Sequence, residues 1–164
     1  MPERRTRHEA LAAGLAGTAA LVLAPAAHAA RADEGAALTA LIRAEEDAVF
    51  VYRNATLPGG LGDRLAGQED EHATALATLL EALAMRIPGP ARSRRDLPPE
   101  ALAVLEPAAA EARLRAAVAY ERALIEGCAR ALPALEHANT VRTVATVMAS
   151  HAQHLAHLDP ASRR

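Results

Sequence analysis

The sequence predicts an all-α fold, an antiparallel four-helix bundle with one long crossover between its second and third helices. Composition is the first indication. Of the 164 residues, 51% are hydrophobic but only 2% are aromatic, and the abundance of Ala and Leu favours helix over sheet. The second indication is that Pro and Gly clusters divide the chain into four long segments with helical apolar spacing. A chain of this length forms one domain with a substantial core.

The first two helices are predicted on either side of a Pro-Gly-Gly turn. The first runs from Gly35 to about Leu57, and the second from about Leu61 to Met85. Because only a few residues join them, they must be antiparallel neighbours. Their apolar seams are Leu38, Ile42, Val49 and Tyr52 in the first helix and Leu65, Leu76, Leu79 and Leu83 in the second.

The connection to the third helix is long and rich in proline. Residues 87–100 include Pro88, Pro90, Pro98 and Pro99, so we predict no regular helix there. A helix of about 25 residues is about 37 Å long, and about twelve extended residues span about 40 Å. The connection can therefore return along the whole bundle and join two antiparallel hairpins. A simple up-down-up-down bundle is the alternative that the sequence leaves open.

The third and fourth helices form the second predicted hairpin. Pro107 suits the first turn of the third helix, which runs to about Leu132, before Pro133. Asn139 is the predicted N-cap of the fourth helix, which ends at Leu158. The seams are Leu114, Val118, Leu124, Ile125 and Cys128 in the third helix and Val144, Val147, Met148, Leu155 and Leu158 in the fourth.

The first 30 residues have the pattern of a targeting segment. Arg4, Arg5 and Arg7 precede an uncharged run of Ala, Leu and Gly, and residues 27–29 have the small-x-small pattern of a cleavage site. We predict a signal peptide over residues 1–30, with a single anchor helix as the alternative. The arginine pair favours the twin-arginine route. The protein is then extracellular, periplasmic or in the cell envelope, with no stable membrane insertion after cleavage.

Charge and cysteine content argue against a nucleic-acid-binding protein and a disulfide-stabilised fold. The formal net charge is -2, without a basic patch typical of nucleic-acid binding, so we predict no nucleic-acid partner. Cys128 is the only cysteine, which excludes an internal disulfide, and its place on an apolar face predicts a buried structural thiol. The sequence leaves a homodimer open.

Polar residues interrupt the apolar seams of all four predicted helices. In the second helix the apolar residues recur at alternating intervals of four and three, and Glu69 and His72 fall at two of these positions. In the fourth helix His151 and His154 fall at corresponding positions of the same pattern. Glu and His are costly to bury unless they are paired, and both are metal ligands. The six seam residues that we predict as metal ligands are Glu45, Glu69, His72, Glu121, His151 and His154.

The two hairpins also correspond to each other. A shift of 82 residues places Glu69 on His151 and His72 on His154. This similarity is consistent with two copies of a helical hairpin packed about a pseudo-two-fold axis. Carboxylate and imidazole ligands together suit iron, manganese or zinc.

The chain resembles the ferritin-like superfamily, and more closely its exported bacterial ferritin-like domain proteins. The resemblance covers about residues 36–158, which we predict as the bundle domain. It implies a non-haem di-metal site of iron or manganese with Glu45, Glu69, His72, Glu121 and His154 as ligands. The motifs that carry it are Ala44-Glu45 with Tyr52, Gln68-Glu69 with His72, Tyr120-Glu121, and Ala152-Gln153-His154.

His151 departs from that family's pattern, which would place a bridging Glu there. A dinuclear iron or manganese site, a single zinc or iron ion, and a metal-free bundle with mutually satisfied Glu–His pairs therefore stay open. The resemblance implies oxidase- or peroxidase-type redox chemistry, and the sequence leaves open whether the chain is an enzyme. A metal-free structural or interaction module is the rival function, and an iron-storing cage is disfavoured because the chain is short.

Three polar residues near the seams receive other predictions. We predict that His137, in the loop before the fourth helix, and His157, on the flank of that helix, are exposed. Tyr52 lies two turns beyond Glu45 and either hydrogen-bonds a ligand or packs at the bundle edge, and packing is favoured.

Overall fold

The computed structural model describes the backbone of residues 7–89, 93–106 and 109–159, and the side chains of Ala29 and of these ranges from residue 31 onward. Within these ranges the fold is all-α, as predicted, with no strand. Three short 3₁₀ helices lie at Pro58–Gly60, Arg94–Asp96 and Leu132–Ala134. The α-helices are α1 (Arg7–Asn54), α2 (Leu61–Ala82), α3 (Pro99–Leu105), α4 (Ala110–Ala131) and α5 (Ala138–Leu158).

Helix α1 is much longer than predicted. It begins at Arg7 instead of Gly35, because the alanine-rich stretch continues the helix. Residues 1–6 of the predicted signal peptide lie outside the described residues, as do the side chains of residues 7–28 and of Ala30. Helix α2 ends at Ala82 rather than Met85, and Ala84 beyond it has a left-handed φ of 54°.

Helix α3 begins at Pro99, in the last two residues of the segment 87–100 where we predicted no regular helix, and continues to Leu105 through residues for which we predicted no element. The prediction was wrong for residues 99 and 100, because a proline is tolerated in the first turn of a helix, where its missing N–H is not needed. Pro99 occupies that position, and Ala101 and Val104 of α3 are buried. Proline therefore starts this helix instead of preventing it.

The starts of the last two helices also differ slightly from the prediction. Helix α4 begins at Ala110, and Pro107 lies outside the described residues. Helix α5 begins at Ala138, so that His137 rather than Asn139 holds the N-cap position. On α4 the buried stripe includes Ala117 and Tyr120.

Two apolar clusters show how the helices are directed. In one cluster the C-terminal half of α1 packs with the starts of α2 and α4, α3 and the end of α5. In the other, Leu38 and Ile42 of α1 pack with the ends of α2 and α4 and with Val144 and Val147 of α5. Helix α1 therefore runs antiparallel to α2 and α4 and parallel to α5. The connection from α2 to α4 passes from one end of the molecule to the other.

The α1–α2 turn brings the two helices into close backbone contact. Gly59 and Gly60 have φ values of 64° and 66°, which favour glycine. A Cβ at Gly62 would lie 2.6 Å from the Tyr52 carbonyl oxygen. The absence of a side chain at Gly62 is thus required for this packing.

Among the helical residues that the structure describes, no stretch is both long and apolar enough to cross a membrane.

Candidate metal centre

All six predicted ligands lie together between the four long helices. Helix α1 supplies Glu45, α2 supplies Glu69 and His72, α4 supplies Glu121, and α5 supplies His151 and His154. Each falls on the buried stripe of its own helix because its spacing from the apolar seam follows the helical period. His72 has a side chain that is 14% exposed, and the other five residues are at most 1% exposed.

The α2 pair meets the α1 carboxylate at one side of the centre. His72 Nδ1 lies 2.9 Å from Glu69 Oε2 and 3.4 Å from Glu45 Oε2. The spacing of three residues on α2 aligns its two ligands along one helical face. One imidazole nitrogen thus faces carboxylates from two different helices.

The α5 pair meets Glu121 at the other side. His151 Nδ1 lies 2.9 Å from Glu121 Oε2, and His154 Nδ1 lies 3.3 Å from Glu121 Oε1. His154 Nδ1 is also 3.2 Å from Glu69 Oε1. Glu69 therefore faces a histidine on each side, with one carboxylate oxygen toward His72 and the other toward His154.

His151 lies between the two sides. Its Nε2 is 3.1 Å from Glu45 Oε1, while its Nδ1 faces Glu121. The ring thus directs one nitrogen toward α1 and the other toward α4. This placement explains how a histidine occupies the position where the family resemblance implies a glutamate.

The ligand atoms form two overlapping groups. One contains Glu45, Glu69, His72 and His151, and within each group the ligand atoms lie within 4.8 Å of one another. Metal bonds of about 2.0–2.2 Å place tetrahedral ligand atoms about 3.4 Å apart, so each group is close to the size that one ion needs. The second group contains Glu69, Glu121, His151 and His154.

Three atoms of the centre make ion-pair contacts without a well-directed hydrogen bond among the described residues: Glu45 Oε2, which lies 3.4 Å from His72 Nδ1, and Glu69 Oε1 and His154 Nδ1, which lie 3.2 Å from each other. An ion pair without a directed hydrogen bond satisfies buried charges only in part. A bound cation would satisfy both carboxylate oxygens, and the histidine nitrogen could serve as a ligand. The donor set therefore fits a transition-metal ion by its carboxylate and imidazole chemistry, and an ion would replace the imidazole protons that these carboxylates face.

The charges of the centre strongly shift the pKa values of its groups. Burial alone would raise the pKa of Glu45, but its interactions with His151 and His72 outweigh burial and lower it to about 2. Burial would likewise lower the pKa of each histidine, but the neighbouring carboxylates raise it to about 9 for His72 and His154 and about 10 for His151. These pKa values keep the three histidines protonated at neutral pH when no metal is bound.

Tyr52 contacts the centre directly, so the favoured prediction that it only packs was wrong. Its hydroxyl donates a 2.6 Å hydrogen bond to Glu121 Oε1. Burial and the charge of Glu121 raise the pKa of Tyr52 well above its usual value, so the phenol stays a donor. The ring of Tyr120 lies 6.1 Å away, centroid to centroid.

Sequence reasoning missed a fourth buried carboxylate, Glu34, which lies at one end of the molecule. Glu34 Oε2 lies 2.6 Å from Nδ1 of His137, which had been predicted to be solvated, and the Glu34 side chain is fully buried. The signal was available, because Glu34 is four residues before Leu38 on the same seam. The His137 side chain is 61% exposed, so this pair closes one end and does not belong to the centre.

Other predictions around the centre hold. Cys128 is buried, and burial raises the pKa of its thiol to about 12, which agrees with a structural role. His157 is exposed, as are Asp70 and Glu71 beside the α2 ligands.

Comparison of the chain with models of protein families, with curated proteins and with solved structures finds no match. The chemistry of the buried cluster is therefore the basis for assigning function.

Proposed function

We propose that this chain is a ferritin-like four-helix protein that binds transition-metal ions for redox chemistry. The observation that carries the proposal is the convergence of six carboxylate and imidazole side chains from four helices into two overlapping groups. Carboxylate–imidazole sets suit iron, manganese and zinc. The contacts of Glu45 Oε2 and Glu69 Oε1 with histidine nitrogens lack directed hydrogen bonds, which favours a bound cation over a purely internal network.

The ligand arrangement favours a dinuclear centre. Glu45 and His72 would hold one ion and Glu121 and His154 the other, with Glu69 shared between them. His151 has a nitrogen on each side and, as a neutral imidazole, would complete one of the two coordination shells through one nitrogen while the other keeps its proton. A bound iron or manganese pair would supply electron transfer to oxygen or peroxide. The chain itself supplies a buried, preorganised ligand set and a phenol that orients Glu121.

The proposed ferritin-like topology is supported by helix directions. Helices α1 and α2 are antiparallel, α4 and α5 are antiparallel, and the connection between these hairpins runs from one end of the molecule to the other. That order is typical of ferritin-like bundles and differs from up-down-up-down bundles.

Elemental analysis tests the metal proposal. We expect about one to two ions per chain after loading with iron or manganese and gel filtration. His154→Ala should lower this content at least twofold, because it removes a buried ligand of the second group. His157→Ala is the matched control, since it removes an exposed histidine from the same helix. Less than about 0.2 ions per chain in the parent would overturn metal binding.

Oxygen uptake tests the redox part separately. Loaded parent protein should consume oxygen on addition of Fe(II) faster than the same iron in buffer, and His154→Ala should lose this excess. Full metal loading with no excess uptake would leave metal binding intact and refute the redox chemistry.

The rival is a metal-free bundle that serves as a structural or interaction module. The hydrogen bonds of His151 to Glu45 and Glu121, and of His72 to Glu69, favour it because they balance charge internally. Thermal melting discriminates the two. A metal-bound centre predicts that Mn²⁺ or Zn²⁺ raises the melting temperature of the parent and much less that of His72→Ala or His154→Ala. Equal melting under every condition would favour the rival.

We further propose that residues 1–30 are an export signal. The support is the arginine-rich start, the uncharged Ala/Leu run and the small-x-small pattern at residues 27–29. The mass of the protein recovered outside the cytoplasm should correspond to a chain that begins near Ala30. Replacing Arg4 and Arg5 by Lys tests the twin-arginine route, because export by the general secretory route would tolerate that change.

A further inference from the structure

A cavity of about 410 Å³ lies between α1 and α4 beside the candidate metal centre. This volume is in the range of small-molecule sites. Because the residues facing it are small, the two helices leave space that larger side chains would fill. Its apolar walls include Ala37, Ala40, Ala44, Ala123, Leu124 and Gly127.

The cavity reaches the metal centre through Glu45. This residue lines the cavity and also belongs to the first ligand group. A molecule in the cavity would therefore lie against a ligand of the proposed centre. Two further cavities, beside Thr74 on α2 and beside Arg122 on α4, contain none of the six ligand residues in their walls.

Tyr120 gives the cavity a buried polar group that lacks a partner. The residue is 2% exposed and lines the cavity, and its hydroxyl makes no hydrogen bond to any described residue. Leaving such a hydroxyl unsatisfied costs about 1–3 kcal/mol. Tyr52, the other tyrosine, has its hydroxyl bonded to Glu121. The unpartnered hydroxyl of Tyr120 thus points to a ligand that hydrogen-bonds in the cavity.

The charges around the cavity favour a cation. Three carboxylates line it, those of Glu45, Asp47 and Glu100, together with one cation, Arg130. Because Glu45 is already paired with His72 and His151, and Arg43 acts on Asp47 from the same helix, the attraction for a further cation comes from Asp47 and Glu100. Arg130 Nη1 lies 3.7 Å from Glu126, which offsets part of its charge. Asp47 is half-buried on α1, two residues from Glu45. An anionic ligand would meet net repulsion here, and an ammonium group would meet attraction.

We propose that this cavity binds a small organic amine, with its apolar body between the alanines of α1 and α4 and its ammonium group at Asp47 and Tyr120. Binding depends only on the cavity. Any effect of a bound amine on the metal centre rests on the proposed function.

Three probes with the same ring test the ligand class. Benzylamine, benzyl alcohol and benzoate differ mainly in charge, and their binding to the full chain is measured by calorimetry and by amide NMR at about pH 8. We expect benzylamine to bind at least fivefold more tightly than benzyl alcohol, and benzoate to bind most weakly. The amide shifts should centre on Ala40, Ala123 and Gly127.

Substitutions in and outside the cavity test whether benzylamine binds there. Gly127→Leu should fill the cavity and weaken benzylamine binding at least tenfold, whereas Gly67→Leu, on the exposed face of α2, should leave it unchanged. Asp47→Asn should reduce the preference for amine over alcohol to less than twofold. Tyr120→Phe should weaken both probes by about three- to tenfold, because both lose one hydrogen bond. Circular dichroism checks that each variant is folded.

Several outcomes would overturn the proposal: tighter binding of benzoate, unchanged amine binding in a folded Gly127→Leu protein, or amide shifts confined to another cavity. The experiment is repeated without added metal and after manganese loading. Loss of amine binding with normal metal content refutes only the cavity proposal. Amine binding in a chain that takes up no metal refutes only the proposed function.

Discussion

The Tyr52 hydroxyl on α1 donates a 2.6 Å hydrogen bond to Glu121 Oε1 on α4. The other oxygen of that carboxylate, Oε2, lies 2.9 Å from His151 Nδ1 on α5. Three helices are thus joined through one buried carboxylate. Such outer contacts fix the orientation of a metal ligand before any ion binds.

Removing the Tyr52 hydroxyl should destabilise the protein. Tyr52→Phe is expected to lower the free energy of unfolding by about 1.5–3 kcal/mol, because the lost hydrogen bond is to a charged, buried group. Tyr120→Phe is the matched control, since its hydroxyl has no hydrogen-bond partner among the described residues, and removing this unsatisfied group should not destabilise the protein but stabilise it by up to about 1–3 kcal/mol. Urea unfolding measures both. Equal losses in the two variants would contradict the special role of Tyr52.

The stability of the metal-free protein should fall at alkaline pH. His72, His151 and His154 have pKa values of about 9, 10 and 9, raised above the usual 6.5. The native state therefore holds these protons more tightly than the unfolded chain. Their contribution to stability is complete below about pH 6.5 and is lost as the pH rises through about 9 to 10.

The pKa shift of Glu45 has the opposite direction and makes stability fall at acidic pH. Its pKa is lowered from 4.5 to about 2, so its contribution is complete above about pH 4.5 and is lost as the pH falls toward 2. Urea midpoints in chelator should thus be higher at about pH 6 than at either extreme. The alkaline decline should flatten in the double variant His72→Gln/His154→Gln and persist in His157→Gln. A parent protein with no alkaline decline would refute this assignment.

Replacing His151 by glutamate should lower the stability of the metal-free protein and increase the rise in melting temperature that a metal ion produces. His151→Glu removes a cation that lies beside Glu45 and Glu121 and adds a carboxylate, which leaves buried charges unpaired. We expect the metal-free variant to lose about 3–5 kcal/mol relative to the parent. Manganese should then raise its melting temperature more than that of the parent. His157→Glu, on the exposed face of α5, controls for added charge. A gain in the His151→Glu protein no larger than that of the parent would contradict a position for His151 beside the bound metal.

Gly62 should not tolerate a side chain. Gly62→Ala places a Cβ 2.6 Å from the Tyr52 carbonyl oxygen, and the resulting shift of α1 against α2 is expected to cost about 1–3 kcal/mol. Gly67→Ala on the same helix meets nothing within 4 Å and should stabilise the protein by about 0.5–1 kcal/mol. Thermal unfolding of the two variants should therefore shift in opposite directions. A stabilised Gly62→Ala protein would show that the helices are not in close contact there.

The sequence determined the helical class and the inward-facing residues of each long helix. A residue's place on its own helix follows from the period of 3.6 residues, so Glu69 and His72 could be placed on the buried stripe from the spacing of neighbouring leucines alone. The period was less reliable on α4, where Val118 and Ile125 are half-buried and Ala117 is buried instead. Alanine occurs on both faces of these helices and therefore carries little directional signal.

Only the tertiary structure decided which inward-facing groups meet. Spacing along one helix does not fix its height or rotation against another, so the 3.1 Å approach of His151 to Glu45 and the bond from Tyr52 to Glu121 depend on how four helices pack. Packing likewise buries Glu34 against His137 and leaves a cavity beside Glu45. The sequence thus specified the chemical groups of the centre, and packing between the helices set the distances at which they act.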